Sequence, residues 1–260
     1  YNRIPVQTAR GCPLQCEFCA SSRIFGGYKV KAVDRIQRDL RAIKKLWPHP
    51  FIELADDNTF VKKRWSKDLV RVIAAEEVRW FTETDVSVAD DPELLDLLAE
   101  SGCRQLLIGF ESPNAASLDG LEAHNWKAKR YDTYRQAIDA IQSRGITVNG
   151  CFIVGLDADT PAVFEEIERF VKSASLLEVQ VTVLTPFPGT SLYRRLHSEG
   201  RLLHDRFWEQ CTLFDVTFVP RHMSVDDLER GLEYLMGALY SVEEVRRRRR
   251  RFGQILKESA

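Results

Sequence analysis

VQTARGCPLQCEFCA, residues 6–20, reads as a short strand that runs directly into a loop carrying Cys12, Cys16 and Cys19. What stands after a first strand separates two folds. A doubly wound sheet usually carries a glycine-rich phosphate loop there, whereas this strand ends in thiols.

Working outward, the chain keeps a strand-and-helix rhythm. VQTARG (6–11), FIELADDN (51–58), RWFTETD (79–85), QLLIGFES (105–112), TVNGCFIVGL (147–156) and VQVTVLTPF (179–187) read as strands. Between them VDRIQRDLRAIKKLW (33–47) places Val33, Ile36, Leu40, Ile43 and Leu46 on one helical face. RWSKDLVRVIAAE (64–76), PELLDLLAES (92–101), RYDTYRQAIDAIQSRG (130–145) and PAVFEEIERFVK (161–172) read as further helices, and SLYRRL (191–196) opens the helix of a sixth unit. Each crossover helix returns the chain to the same end of the next strand, so the sheet is parallel. Polar groups gather at the carboxyl ends of the strands, in RGCPLQC, ADDN, TETD, FESP, VGLDADT and LTPFPGT, which is where a barrel carries its chemistry. The expected fold is α/β, a partial (βα)6 TIM-type barrel over residues 1–200 with a small helical extension over 201–260.

Composition narrows the function classes. A net charge of −1 gives no sign of a nucleic-acid binder, and 44% hydrophobic residues in 260 suffice for one full core. The opening YNRIPVQTAR, polar and broken by Pro5, does not resemble a signal peptide, and the apolar runs are far shorter than the ~20 residues that cross a bilayer. A cytoplasmic chain with reduced thiols is expected, in which clustered cysteines bind metal or catalyse. Structural zinc takes four ligands, and C-x-x-x-C-x-x-C supplies three with no second pair. A 4Fe-4S cluster held by three thiolates instead leaves one iron open to an outside ligand.

C-x-x-x-C-x-x-C after a first strand, with Phe18 before the third cysteine, resembles the signature of the radical S-adenosylmethionine (SAM) superfamily. FIELADDNTF, LLIGFESP, NGCFIVGLDADT and VLTPFPGTSLYRRL are similar, in order and spacing, to the radical SAM domain of the cobalamin-binding-domain class, over residues 4 to about 200. The resemblance implies that Cys12, Cys16 and Cys19 hold a 4Fe-4S cluster whose open iron binds the amino and carboxylate groups of SAM. An electron from a donor such as flavodoxin or ferredoxin then splits the sulfonium, and the resulting 5′-deoxyadenosyl radical abstracts hydrogen from the substrate. It also implies cofactor contacts for Phe18 and for ADDN, which stands where the family's glycine-glycine-glutamate motif meets the methionyl ammonium. This chain departs from the glycine pair, which leaves Asp56, Asp57 and Asn58 as candidates, with an Asx turn as the plain alternative. Glu111 is the candidate for the ribose hydroxyls, or else a rim carboxylate paired with a nearby base. Arg130 is the candidate for the methionyl carboxylate, with Lys127 and Lys129 as competitors and an exposed helix-face cation as the alternative. Gly150 to Gly155 resembles the adenine-side strand, where missing side chains permit close approach. Cys103, Cys151 and Cys211 are expected in the core, and Trp47, Trp65, Trp80 and Trp126 in packing roles.

After residue 200 the pattern changes. SVDDLERGLEYLMGALYS (224–241) reads as an amphipathic helix with Ser224 as cap and Asp227 at the capping-box position, and Ser241 with Glu244 repeats the signature. Residues 241–260 hold seven bases against three acids, a local charge of +4. The run Arg246 to Arg251 is either a solvated terminal helix or a peripheral hold on anionic membrane lipid, with no specific nucleic acid expected. No D-x-H-x-x-G pattern and no cobalamin-binding domain occur in the chain, so cobalamin is expected only through a missing domain or a partner. The leading expectation is a radical SAM enzyme acting on a small or lipid-like metabolite by methylation, cyclisation or similar chemistry. The alternatives are a truncated or partner-dependent domain that binds cluster and SAM without turnover, and a zinc-binding interaction module.

Overall fold

A computed structural model describes residues 2–258. Six strands, β1 (Ile4–Val6), β2 (Phe51–Leu54), β3 (Arg79–Thr84), β4 (Cys103–Glu111), β5 (Thr147–Val154) and β6 (Glu178–Val183), lie side by side in chain order. Every neighbouring pair is parallel. Helices α1 (Val33–Leu46), α2 (Lys63–Ala74), α3 (Pro92–Glu100), α4 (Tyr134–Gln142), α5 (Val163–Ser173) and α6 (Ser191–Ser198) follow the strands in turn. With β1 and β6 left as edges, the chain forms the expected partial (βα)6 barrel, and helices α7 (Val225–Tyr240) and α8 (Val242–Glu258) make its helical C-terminal part.

The first strand is shorter than its sequence suggests. VQTARG does not run on to residue 11: β1 stops at Val6, and Ala9–Arg10 turn aside to pair antiparallel with Lys29–Val30. Asp56 supplies the reason. Its buried carboxylate accepts the N–H groups of Thr8 at 2.7 Å and Ala9 at 2.8 Å, and also the Thr8 hydroxyl. Donors that a continuing strand would give to the sheet are thereby taken by a side chain.

Along β5, Val148, Gly150, Phe152 and Val154 are buried, while Asn149, Cys151 and Ile153 on the opposite face are only half-buried. Phe152 and Phe110 pack with Phe170 and Tyr134, ring centroids 4.8 to 6.3 Å apart, between sheet and helices. Full burial of side chains this size contributes about 1.5–3 kcal/mol each. On α1, Ile36 and Leu40 are fully buried and Val33 and Ile43 pack against the core, but Leu46 is 86% exposed where the helix overruns the sheet. Trp80 is fully buried and Trp65 and Trp126 pack against the core, whereas Trp47 is exposed.

The chain after residue 200 covers the free edge of β6. Tyr240 Oη donates to Val179 O at 2.9 Å and accepts from Val181 N at 3.2 Å, and Val183 N donates to Leu213 O at 2.7 Å. Edge groups that would otherwise invite foreign strands are satisfied within the molecule. The capping box of α7 forms as read, with Asp227 N donating to Ser224 Oγ at 3.0 Å and Ser224 N to Asp227 Oδ2 at 3.1 Å. At α8 the cap is partial: Glu244 N donates to Ser241 Oγ at 3.3 Å, while the Glu244 carboxylate takes both Arg247 donors at 2.7 Å. The arginine run therefore presents no single cationic face. Arg248 is buried and donates to Leu177 O at 3.1 Å and to Leu239 O, in the last turn of α7, at 2.7 Å, whereas Arg246, Arg249, Arg250 and Arg251 are exposed. No helix among the described residues is long and apolar enough to cross a membrane.

Candidate active site

The loop after β1 is fastened on several sides. Gly11 N donates to Asp57 Oδ2 at 2.7 Å, Glu17 N to Leu121 O at 2.8 Å, and Leu192 N, at the start of α6, to Glu17 O at 3.0 Å. Between these points Cys12, Cys16 and Cys19, none of them in a disulfide, line one cavity of about 350 Å³ at the carboxyl ends of the strands. Phe18 lines it with them. A larger cleft of about 700 Å³ lies between β1 and α1 and holds none of the thiols.

Beside the thiols the cavity wall is polar. Lys127, 6% exposed at its side chain, donates to Glu111 Oε1 and to Gly109 O, both at 2.8 Å. Burial works against the charge on Lys127, yet Glu111 and the Cys16 thiol hold its pKa above that of an ordinary lysine. The Cys16 thiol is itself pushed up to about 12, by burial first, with Lys127 pulling the other way. Burial also raises Cys12, while a contact from Asn58 Nδ2 at 3.7 Å favours its thiolate. That amide is held in turn by Asp85 Oδ2 at 2.7 Å, and Asp85 is fixed by Ser87 N at 2.8 Å. Glu83, on the cavity wall of β3, is raised by burial and then by neighbouring Glu53, Asp57 and Asp56.

The structure brings some expected residues together and not others. Cys12, Cys16, Cys19, Phe18, Asp57, Asn58 and Glu111 all line the cavity. Asp56 does not; it sits beneath the loop, shaping the chain rather than facing the space. Arg130 also lies outside the lining, its guanidinium on Asp90 at 2.5 Å and over the Trp126 ring at 5.3 Å. Lys127, three residues earlier in the short helix Trp126–Arg130, is the cation that reaches the cavity. Gly150 and Gly155 correct the sequence reading further. A Cβ on Gly150 would lie 2.8 Å from Leu176 Cδ1 and 3.2 Å from Phe110, so its bareness admits helix-side packing. Gly155, at φ +94°, would meet Leu228 and Phe218 at 3.0 Å, so it makes room for α7. Cys151 faces the cavity instead of filling the core, and Cys211 is half-buried in a loop.

Sequence reasoning missed Glu83, Gln180, Thr182 and Leu213 on the same wall. A signal was available in the alternation of VQVTV, whose Gln180 and Thr182 point opposite to Val179, Val181 and Val183. Leu213, at φ +71°, comes from the covering segment and carried no such signal.

A family model described as the radical SAM superfamily matches residues 6–171. The chain belongs to the radical SAM superfamily. Residues 190–260 of this enzyme match a second model, a domain of unknown function, DUF4070. Among curated proteins the radical SAM chain is similar to a bacteriochlorophyllide d C-12(1)-methyltransferase of Chlorobaculum tepidum, 25% identical over 248 residues, covering 94% of this chain and 53% of that one. It is also similar to a hopanoid C-2 methylase of Rhodopseudomonas palustris, 28% identical over 208 residues, covering 77% and 39%. The chain thus spans about half the length, or less, of these relatives. Its fold is shared with OxsB, a cobalamin-dependent radical SAM enzyme solved with aqua-cobalamin and SAM, at a TM-score of 0.72 and 12% identity over 99% of this chain and 46% of that one.

Radical SAM enzymes use a 4Fe-4S cluster and SAM, act on small molecules and need a reductant. Three reduced thiols on one loop, opening on one cavity, are a soft donor set that suits such a cluster. Among the described residues no three His, Cys, Asp or Glu side chains gather closely enough for a single metal ion. A cubane places each thiolate on its own iron, so it requires thiols spread around one space.

Proposed function

We propose that Cys12, Cys16 and Cys19 hold the 4Fe-4S cluster and that the enzyme modifies a small or lipid-like metabolite, by methylation in the first place and by cyclisation or similar chemistry otherwise. The observation that carries this reading is the meeting of the three loop thiols with Asp57, Asn58, Glu111 and Lys127 around one cavity. The likeness to a tetrapyrrole methyltransferase and a hopanoid methylase supports methyl transfer. When bound, cluster and SAM supply one-electron access to an unreactive C–H bond.

The chain's own residues do the rest. Asn58 orients the Cys12 sulfur, and the Asp57 carboxylate, on the same turn, suits the methionyl ammonium. Lys127 neutralises Glu111 and lies on the Cys16 side, where a cation favours the thiolate over the thiol. Glu111, so held, presents its remaining acceptor capacity to the ribose hydroxyls. Phe18 contributes an apolar wall that helps exclude water. The catalytic unit is residues 1–200, and 201–260 is an extension that closes the β6 side. An electron donor such as flavodoxin or ferredoxin supplies the electron. By its likeness to OxsB, methyl transfer here draws cobalamin from a further domain or a partner. The exposed Arg246, Arg249 and Arg250 suit contact with anionic lipid.

The test is anaerobic purification, reconstitution with iron and sulfide, and electron paramagnetic resonance after reduction, with and without SAM, followed by assay for 5′-deoxyadenosine. The expected result is a cubane signal that shifts with SAM in the parent and is lost in Cys12→Ala, Cys16→Ala and Cys19→Ala. Stoichiometric zinc with no such signal would sink the reading, and a SAM-shifted signal without 5′-deoxyadenosine would leave a binding domain that needs a partner for turnover.

A further inference from the structure

Glu17 stands inside the thiol motif, between Cys16 and Cys19, and its side chain points away from the cavity into a network of charges. Arg195, on α6, grips it with two donors, Nη2 to Oε1 at 2.7 Å and Nε to Oε2 at 3.1 Å. The other Arg195 nitrogen, Nη1, donates to Asp157 Oδ2 at 2.6 Å, beyond β5, and to Glu199 at 3.4 Å. Arg201 binds Asp157 and Glu199, each at 2.9 Å, and donates from Nε to Val219 O at 2.8 Å. Arg221 approaches the same two carboxylates at 3.5 Å.

Two features separate this arrangement from an ordinary surface pair. The Glu17 contact is a planar fork, which fixes both the distance and the orientation of the carboxylate, where an ammonium fixes only a point. The Glu17 backbone is held as well, through Leu121 O and Leu192 N, so the residue between two thiols is clamped at its side chain and on both sides of its peptide. All three arginines lie within the segment that matches the domain of unknown function.

We propose that Arg195, on the last helix of the barrel, is a positioning residue for the thiol loop: its clamp on Glu17 sets the spacing of Cys16 and Cys19 for the cluster. The inference rests on the assignment of the cluster to the three cysteines.

The experiment compares Arg195→Met, Arg195→Lys, Glu17→Gln and the exchange Glu17→Arg with Arg195→Glu. Arg144→Met serves as control for loss of a partly buried arginine away from the loop, where a single contact to Asp96 at 2.6 Å is removed. Reconstituted proteins are challenged with an iron chelator, and the reduced cluster is examined by electron paramagnetic resonance with and without SAM. Residues that orient metal ligands from outside typically matter by 10- to 100-fold, so iron release about tenfold faster or more is expected in Arg195→Met and Glu17→Gln. Arg195→Lys should resemble Arg195→Met, the exchange, which sets a carboxylate against Asp157 and Glu199, should release iron at least as fast, and the SAM-induced spectral shift should weaken in step with iron release. Thermal unfolding of the cluster-free proteins reads the fold separately, and Arg195→Met should melt with the Arg144→Met control. Parental release rates and spectra in Arg195→Met and Glu17→Gln would overturn the clamp, as would a cluster-free melting loss confined to those two variants. A parent chain that takes up no cluster would overturn the cysteine assignment and the clamp together.

Discussion

Lys127 and Glu111 show how much one residue pair decides. The sequence offered Glu111 for the ribose hydroxyls, or else as a rim carboxylate paired with an unnamed base, and Arg130 ahead of Lys127 and Lys129 for the methionyl carboxylate; periodicity could not choose among three bases within four positions. Burial chose: Lys127 turns inward from the short helix Trp126–Arg130, while Arg130 finds Asp90. A buried pair is costly to break, because removing one partner leaves the other charged and dry. Lys127→Met should therefore destabilise the cluster-free protein by about 3–5 kcal/mol in urea unfolding, and adding Glu111→Gln should restore much of that. A loss below about 1 kcal/mol would mean that the pair is solvated and contributes as surface pairs do.

At the scale of elements, the turn after β5 is held by Asp159, which accepts from Gly155 N and Leu156 N at 3.0 Å and from Ser117 Oγ at 2.6 Å. Burial pushes this carboxyl up to about 6 from its ordinary 3.8, against the pull of those hydrogen bonds. The folded pKa lies above the unfolded one, so the folded state binds the extra proton between those values. The stability it brings is complete below the unfolded pKa and is lost as pH rises through about 6. Relative to Asp159→Asn, whose side chain cannot ionise, the parent should lose about 2 kcal/mol between pH 4 and 6, as read by denaturant unfolding. A flat difference across that range would remove the buried-carboxyl account. Gly150 in β5 and Gly155 just after it teach the same lesson: both were visible in the sequence, but what a missing side chain makes room for depends on distant neighbours, here Leu176 and Phe110 for one and Leu228 and Phe218 for the other.

For the whole molecule, the six arginines of α8 divide by geometry. Arg248 alone is buried, tying Leu177 O beside β6 to Leu239 O in the last turn of α7, where a cation suits the helix terminus. Arg248→Met should cost about 2–3 kcal/mol in equilibrium unfolding, through the loss of charged hydrogen bonds and the stranding of two carbonyls. Arg249→Gln with Arg250→Gln, at exposed positions, should stay within about 0.5 kcal/mol. Equal effects would show that the run acts as a block of charge and not through one seated residue.

The sequence by itself determined the parallel alternation, the thiol loop at the first strand's end and the capped helix at Ser224, because each is written in neighbouring residues through period, spacing or a three-residue cap. Only the tertiary structure decided that Asp56 ends the first strand, that the face of β6 on which alternation sets Gln180 and Thr182 is the one turned to the cavity, and that Arg195 grips Glu17 across 178 positions of chain. Those outcomes depend on which face a strand turns inward and on which distant groups meet when the barrel curves. Local periodicity carries no term for either.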